Sequence, residues 1–412
     1  MSRERRPGQS PWLFAGVELT LLLDFMVLMP LGPELMRELE LSPARFGAAV
    51  SAYTLASALV GLLASQWLDR LELRSFLLYL YAGFIVASGA CAAATGFGSL
   101  LAARLLAGAC AGLASSVSMA LLVNATPTDR RGSAVGTIMT AYSVSAVAGV
   151  PLGLWLASLW GFRAPFLAVA LLAALLWVLL FARLAATSPC ASEHDARRSL
   201  GQRWRGEWVL GWSLTFLVVA AGFLLIPFLG AFMVENLGLE PRSLALVYFA
   251  GGAATFFWSR YVGKLVDRFG PVRILAGLLV ASAVPHLAFP RLPAGALTLT
   301  IAAFVGFMTL TSSRMIPTLV LVTSEVPAAA RARYLAINSA ISEGASGVAA
   351  WVGGALLTTT SLGALKGLER LSWVAAAVTA LALVVLCALV RRTRAAERAA
   401  RAREPQSLGE AA

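Results

Sequence analysis

The sequence predicts an all-α polytopic membrane protein: twelve transmembrane helices in two pseudo-symmetric six-helix halves. Three observations carry that reading. The first is composition, since 59% of the 412 residues are hydrophobic and only 13% are charged, too few charges to clothe a soluble fold. The second is a series of twelve apolar stretches, each reaching the roughly 20 residues needed to cross about 30 Å of hydrocarbon. The third is an internal repeat. Leu28-Met29-Pro30-Leu31 returns as Leu225-Ile226-Pro227-Phe228, Met36 as Met233, Ser42-Pro43 as Glu240-Pro241, and Asp69-Arg70 as Asp267-Arg268. Pro127 with Arg131 returns as Pro327 with Arg331. A period near two hundred residues is a duplicated domain, not a solenoid unit.

Charge, proline and glycine bound the stretches at 12–36, 44–67, 75–96, 99–124, 133–160 and 164–186 in the first half. The second half gives 209–233, 243–263, 271–290, 295–324, 332–359 and 371–390. The domains are therefore an N-terminal bundle (1–186), a polar and basic linker (187–208), a C-terminal bundle (209–390) and a basic tail (391–412). The tail alternates Arg with Ala and reads as a surface helix against anionic lipid headgroups. Arg3, Arg5 and Arg6 lead into an apolar run too long for a cleaved signal, so that run is kept as the first span. With the N-terminus placed inside, 24 of the 33 Lys and Arg residues fall on the cytoplasmic side, seven on the other, and Arg104 and Arg314 within spans. The positive-inside rule then puts both termini in the cytoplasm, with the chain in the inner membrane.

Several classes are excluded. The formal charge of +12 is spread in short clusters between apolar runs, which does not make the basic stripe of a nucleic-acid binder. Four cysteines without metal-type spacing and two histidines without a partnering acid cluster offer neither a metal site nor an enzyme's nucleophile set. No Gly-rich, Lys-terminated phosphate loop is present, so no ATP and no cofactor is expected; a proton gradient is the expected energy source.

Twelve spans in two parallel halves joined by a basic loop resemble the major facilitator superfamily of secondary transporters. The resemblance covers nearly the whole chain. Gly263-x-x-x-Asp267-Arg268-x-Gly270-x-x-Arg273 is similar to the superfamily's loop motif between the second and third spans of a half. The first-half copy keeps Asp69, Arg70 and Arg74 but has Ser65 and Glu72 in place of the glycines. Arg104-x-x-x-Gly108-x-x-x-Gly112 resembles the arginine motif of proton-driven members, and Gly149-x-Pro151-x-Gly153 the Gly-Pro motif of drug and sugar antiporters. The segment Asp24-Phe25-Met26-Val27-Leu28-Met29-Pro30 is similar to the first span of the drug/proton antiporter branch. The glycines also suit close helix packing in lipid.

Charges that obey the repeat differ in kind from those that break it. Asp69 and Asp267 are expected to latch one half to the other, Asp69 against the start of the eleventh span near Arg331 and Asp267 against the start of the fifth near Arg131. Asp24 has only Ala221 opposite it and lies 13 residues past Pro11, about 20 Å along a helix and near mid-bilayer. A charge there costs about 2.5 to 3.5 kcal/mol, so it faces a cavity or a partner. A carboxyl able to take up and release a proton at that depth suits a proton carrier, and a structural pair with an arginine is the alternative. Arg104 is assigned to coupling, and Arg314 to the substrate or to a pair with Glu343. Glu343 reads equally as an ion-pair member or a second protonation site. Glu18 joins the coupling set or snorkels to the cytoplasmic interface. His286, between Pro285 and Pro290, reads as an interfacial residue. Phe25, Met29, Phe228, Phe232 and Met308, with Arg314 and Asp24, are the candidate substrate contacts. The expected activity is proton-coupled export of a small amphipathic drug, sugar or metabolite by a monomer working through alternating access. The alternatives are symport of an anionic nutrient held by Arg314 and Arg104, and a non-transporting sensor.

Overall fold

The computed structural model describes residues 11–64, 72–126, 131–184, 206–324, 326–361 and 363–401. Twelve helical passes fill them. The first half comprises Pro11–Leu28 continued by Gly32–Glu38, Pro43–Ala64, Leu73–Ala92, Phe97–Ala125, Arg131–Val144 continued through a π turn by Val150–Trp160, and Arg163–Leu184. The second comprises Gly206–Phe223 continued by Ile226–Glu235, Pro241–Phe269, Pro271–Ala288, Leu297–Ser313 continued by Met315–Ser324, Ala328–Leu356 and Leu368–Arg401. Among the described residues, ten passes are long and apolar enough to cross a membrane. The eighth and eleventh, 29 residues each, are long enough but more polar. Their packing explains this: the eleventh lies on the second span of the opposite half and the eighth on the fifth, so both wall the seam between halves and spare less surface for lipid.

The observed limits depart from the sequence reading at a few ends. The eighth helix continues to Phe269 instead of stopping near 263. The twelfth runs unbroken to Arg401, so the basic residues after 390 prolong the span and do not begin a separate surface helix. The core of the expected linker and the loop around Asp69 lie outside the described residues.

Local breaks follow from proline and glycine. Pro30 cannot donate a backbone hydrogen bond, and the first helix is interrupted between Leu28 and Gly32. The repeat places a matching break before Pro227 in the seventh span. A π turn, Ser145–Gly149, precedes Pro151 in the fifth span. Gly270 ends the eighth helix with φ +84°, a conformation that favours glycine, and Pro271 opens the ninth. Glu72, at the corresponding place in the first half, has φ −71°, so the two loop copies turn differently.

A short antiparallel ribbon, Thr358–Thr359 against Leu365–Lys366, joins the last two spans. Asn236 docks it. Its amide nitrogen donates to the Leu365 carbonyl and its amide oxygen accepts from the Leu365 N–H, each at 2.9 Å. The sequence reading held no strand here.

The twelve passes leave the first helix start and the last helix end on one face, called the terminal face below; the opposite face is the distal one. At the distal face a single apolar core crosses both halves, joining Leu28, Met29, Leu31 and Phe46 to Phe228, Phe232 and Ala350. Backbones approach closely there: a methyl group on Gly47 would lie 2.5 Å from the Ala350 carbonyl oxygen, and one on Gly354 2.6 Å from that of Pro43. The remaining cores each stay within one half. Towards the terminal face, a methyl on Gly61, Gly136, Gly263 or Gly344 would meet nothing within 4 Å. The halves are sealed distally, and at those four positions no such close approach occurs among the described residues.

Candidate functional site

Asp24 and Arg104 meet inside the first half. Arg104 Nη1 lies 2.6 Å from Asp24 Oδ2, and both side chains are 0% exposed. Ser88 of the third span donates to Asp24 Oδ1 at 2.8 Å, with the Phe166 carbonyl as its second acceptor at 3.2 Å. The guanidinium also donates to the Asp24 carbonyl and lies over the Tyr53 ring, 4.4 Å from its centre. Both carboxylate oxygens thus have a donor, and the ion pair is out of water. Asp24 faces a partner, not a cavity. Sequence reasoning missed Ser88 and Tyr53, a hydroxyl and a ring that carry no charge.

The glycine motifs build this site. Arg104, Gly108 and Gly112 are spaced at four residues and share one helix face. Gly108 abuts the Tyr53 backbone, and a methyl on Gly112 would lie 2.5 Å from Ser57 Oγ. The second helix is thereby drawn onto the fourth with the Tyr53 ring under Arg104. Gly149 abuts Leu23, and a methyl on Gly153 would lie 2.5 Å from Val27 Cγ2. The π turn and Pro151 thus seat the first helix one residue before and three after Asp24.

Beside the pair, the seam between halves begins. Phe25 stacks between Tyr53, at 5.4 Å, and Phe223 of the seventh span, at 6.1 Å. Met308 is partly exposed, whereas Met29, Phe228 and Phe232 are buried in the distal seal. Phe228 meets Phe46 edge to face and Phe232 meets Phe289. In this conformation those three belong to the core that crosses both halves, with Phe228 in contact across the seam, and do not line an open space.

Glu18 is 5% exposed; Ser115 donates to its carboxylate, while its Oε1 has no hydrogen-bond partner among the described residues. It does not snorkel. Glu343 on the eleventh span lies close enough to Tyr53 and Tyr142 of the opposite half for electrostatic interaction, as does Glu18 from within that half. Arg314 does not pair with Glu343, because the tenth span packs among the eighth and ninth while the eleventh turns to the second and seventh. Arg314, 0% exposed, instead donates to Ser282 at 3.2 Å, Thr379 at 3.5 Å and the Thr311 carbonyl at 3.2 Å. His286 lies in the last turn of the ninth helix, at the distal end that the sequence predicts, and is covered there by protein: its ring contacts the Ser282 carbonyl and lies 5.0 Å from Phe307. Pro285 sits inside the helix, which ends three residues later at Ala288.

Of the expected latches, Asp69 and Arg70 lie outside the described residues, as does the Arg131 side chain. Asp267, Arg268 and Arg273 are exposed at the terminal face, and Arg268 lies over the Phe269 ring. Asp267 makes no ion pair among the described residues. Arg74 is partly buried at the start of the third helix. Arg331 donates to the Val326 carbonyl at 3.4 Å, at the start of its own helix. No group of three or more His, Cys, Asp or Glu able to hold a metal occurs among the described residues.

Comparison with known proteins agrees with this architecture. The chloramphenicol resistance protein of Streptomyces lividans is 30% identical over 374 residues, covering 88% of this chain and 91% of that protein. An uncharacterised transporter of the same type from Bacillus subtilis is 22% identical, covering 82% and 89%. Among solved structures, an inward-facing, occupied bacterial homologue of the human lysosomal transporter Spinster superposes with a TM-score of 0.74 at 17% identity, over 92% and 96% of the two chains. A D-xylose–proton symporter gives 0.73 at 17% identity, over 91% and 96%. The Major Facilitator Superfamily profile matches residues 14–312 and, a second time, 211–411. The chain belongs to the Major Facilitator Superfamily: it is a multi-pass membrane transporter for small molecules, not an enzyme.

Proposed function

We propose that this transporter is proton-coupled and exports a small amphipathic molecule, with Asp24 and Arg104 as the coupling pair. It sits in the inner membrane as a monomer with both termini in the cytoplasm, uses no cofactor beyond the proton gradient, and is here sealed on its distal side. The observation that carries this reading is the wholly buried pair at 2.6 Å, one residue from the aromatic stack at the seam. A proton on Asp24 leaves Arg104 charged and without a counter-ion in a dry interior. Removing one partner of such a pair costs several kcal/mol. That cost favours a rearrangement of the first helix, which carries Phe25 with it. Protonation and the substrate space are therefore mechanically joined through Phe25 and Tyr53.

The relative named for chloramphenicol resistance supports export. The rival reading, import of an anion held by Arg314 and Arg104, has less support, since Arg104 is committed to Asp24 and Arg314, whose Nη2 has no partner among the described residues, is 0% exposed. The test is flux in proteoliposomes under an imposed proton gradient, using chloramphenicol, tetraphenylphosphonium and benzoate as neutral, cationic and anionic probes. The wild type is expected to move at least one of them against the proton flow, and Asp24→Asn to abolish this. Gradient-driven flux that survives in Asp24→Asn overturns the coupling assignment, and benzoate moving with the protons establishes the rival.

A further inference from the structure

We infer that the second half holds a resident inorganic anion of halide size, bound by the Arg314 guanidinium against Gly222 of the seventh span. The site lies within one half, so the inference goes beyond the transport reading and does not depend on it.

Arg314 is 0% exposed and keeps its charge at any physiological pH. Its Nε and Nη1 donate to three neutral oxygens, those of the Thr311 carbonyl and of the Ser282 and Thr379 hydroxyls. Nη2 has no partner among the described residues, and no carboxylate among them acts on the guanidinium. His286 faces it from the ninth span and brings no negative charge. Neutral oxygens solvate a cation without cancelling it, and a charge kept out of water without a counter-charge costs several kcal/mol. Arg104, equally buried, meets its counter-charge in Asp24. The repeat sets Ala221 opposite Asp24, and Gly222 follows it. A methyl group on Gly222 would lie 3.6 Å from Arg314 Nη2. The guanidinium of the second half therefore comes to the stretch of helix where the first half carries its acid, and meets none.

A second buried donor borders the same place. Thr311 Cγ2 would lie 2.9 Å from that methyl group, and Thr311 Oγ1 has no partner among the described residues. Threonine in a helix has two favoured χ1 states, and exchanging them brings the hydroxyl to the Gly222 side in place of the methyl. One anion then accepts from Arg314 Nη2 and Thr311 Oγ1 together. Size is limited by the walls: Ile226 Cδ1 would stand 3.5 Å from the same methyl group, which suits a single atom better than a carboxylate on an organic body. Bound there, the anion does for the second half what Asp24 does for the first, as a diffusible group instead of a covalent one.

The test is thermal unfolding in lipid nanodiscs, with sodium gluconate exchanged for sodium chloride or bromide at constant ionic strength. The wild-type melting temperature is expected to rise by about 2 °C or more, and that of Arg314→Gln to stay unchanged. Gly222→Asp combined with Thr311→Ser supplies a carboxylate beside Nη2 and should lose the halide response. A wild type indifferent to the exchange overturns the proposal, and so does an equal halide response in Arg314→Gln. Benzoate raising the wild-type melting temperature more than bromide does overturns the halide assignment, since a carboxylate is then the better occupant. Wild-type crystals grown in bromide decide even where a variant does not fold. Anomalous density within about 3.5 Å of Nη2 is expected, and density confined to exposed basic residues overturns the site.

Discussion

A double-mutant cycle on Asp24 and Arg104 measures the interaction at the centre of the first half. The partners are 2.6 Å apart and 0% exposed. Two unit charges about 4 Å between centres at an effective dielectric of about 20 attract by about 4 kcal/mol. Deleting one partner removes that attraction and strands the other charge in a dry site, for which about 3 to 5 kcal/mol is typical. Asp24→Asn keeps the shape and the Ser88 contact but discards the charge. Arg104→Met keeps much of the bulk over the Tyr53 ring and discards the guanidinium. Each single variant should lose about 3 to 5 kcal/mol, whereas the double variant, with no charge left to strand, should lose about 1 to 3 kcal/mol. The coupling energy is then about 3 kcal/mol or more, read from chaotrope unfolding in nanodiscs. A coupling below about 1 kcal/mol would refute the claim that the two charges depend on one another, and with it the argument that protonation of Asp24 releases Arg104.

Two further outcomes follow from the same geometry. Arg314 has no acid to strand, so Arg314→Gln, which keeps a donor for Ser282, should change stability by no more than about 1 kcal/mol, against the 3 to 5 kcal/mol expected for Arg104→Met; equal losses in the same unfolding assay would contradict it. Gly47→Leu sets a side chain where the Ala350 carbonyl stands 2.5 Å from even a methyl group, and should hold the distal face open. Cysteine labelling should then rise severalfold at distal positions such as 228 and fall at terminal-face positions near 267; an unchanged pattern would mean that this close approach does not hold the seal.

The architecture was readable in the sequence because lipid enforces it: passes must be long and apolar, and a duplication repeats its Pro30 and Pro227 breaks at a fixed offset. Arg104, Gly108 and Gly112 could be placed on one helix face from spacing alone. What covers that face could not, since it depends on how the second span is rotated, and this is set by Tyr53 lying over the stripe. Arg104 reaching Asp24 is likewise a fact of packing across 80 residues. Subtracting one half of the repeat from the other isolates the unmatched charges, but Ser88 is neutral and passes through that filter. Extended to neutral polar residues, the same subtraction sets Ser88 opposite His286 at offset 198; both are buried in otherwise apolar spans, so this signal was available. His286 stands at the helix end that its prolines indicate, whereas its cover by Phe307 of the tenth span is a fact of packing that local spacing does not carry. The Glu343–Arg314 pair failed for a different reason. Similar depth along neighbouring spans says nothing about azimuth, and these two side chains point into different spaces.

Asn236 acts towards the Leu365 backbone as a one-residue strand, fixing the distal ribbon to the end of the seventh helix by a donor and an acceptor at once. The ribbon is thus a pointer welded to a moving part: when the second half tilts, it tilts too. An antibody fragment raised against residues 358–366 would grip this pointer from the side opposite the loading mouth, reporting or arresting the conformational cycle without entering the path that the cargo takes.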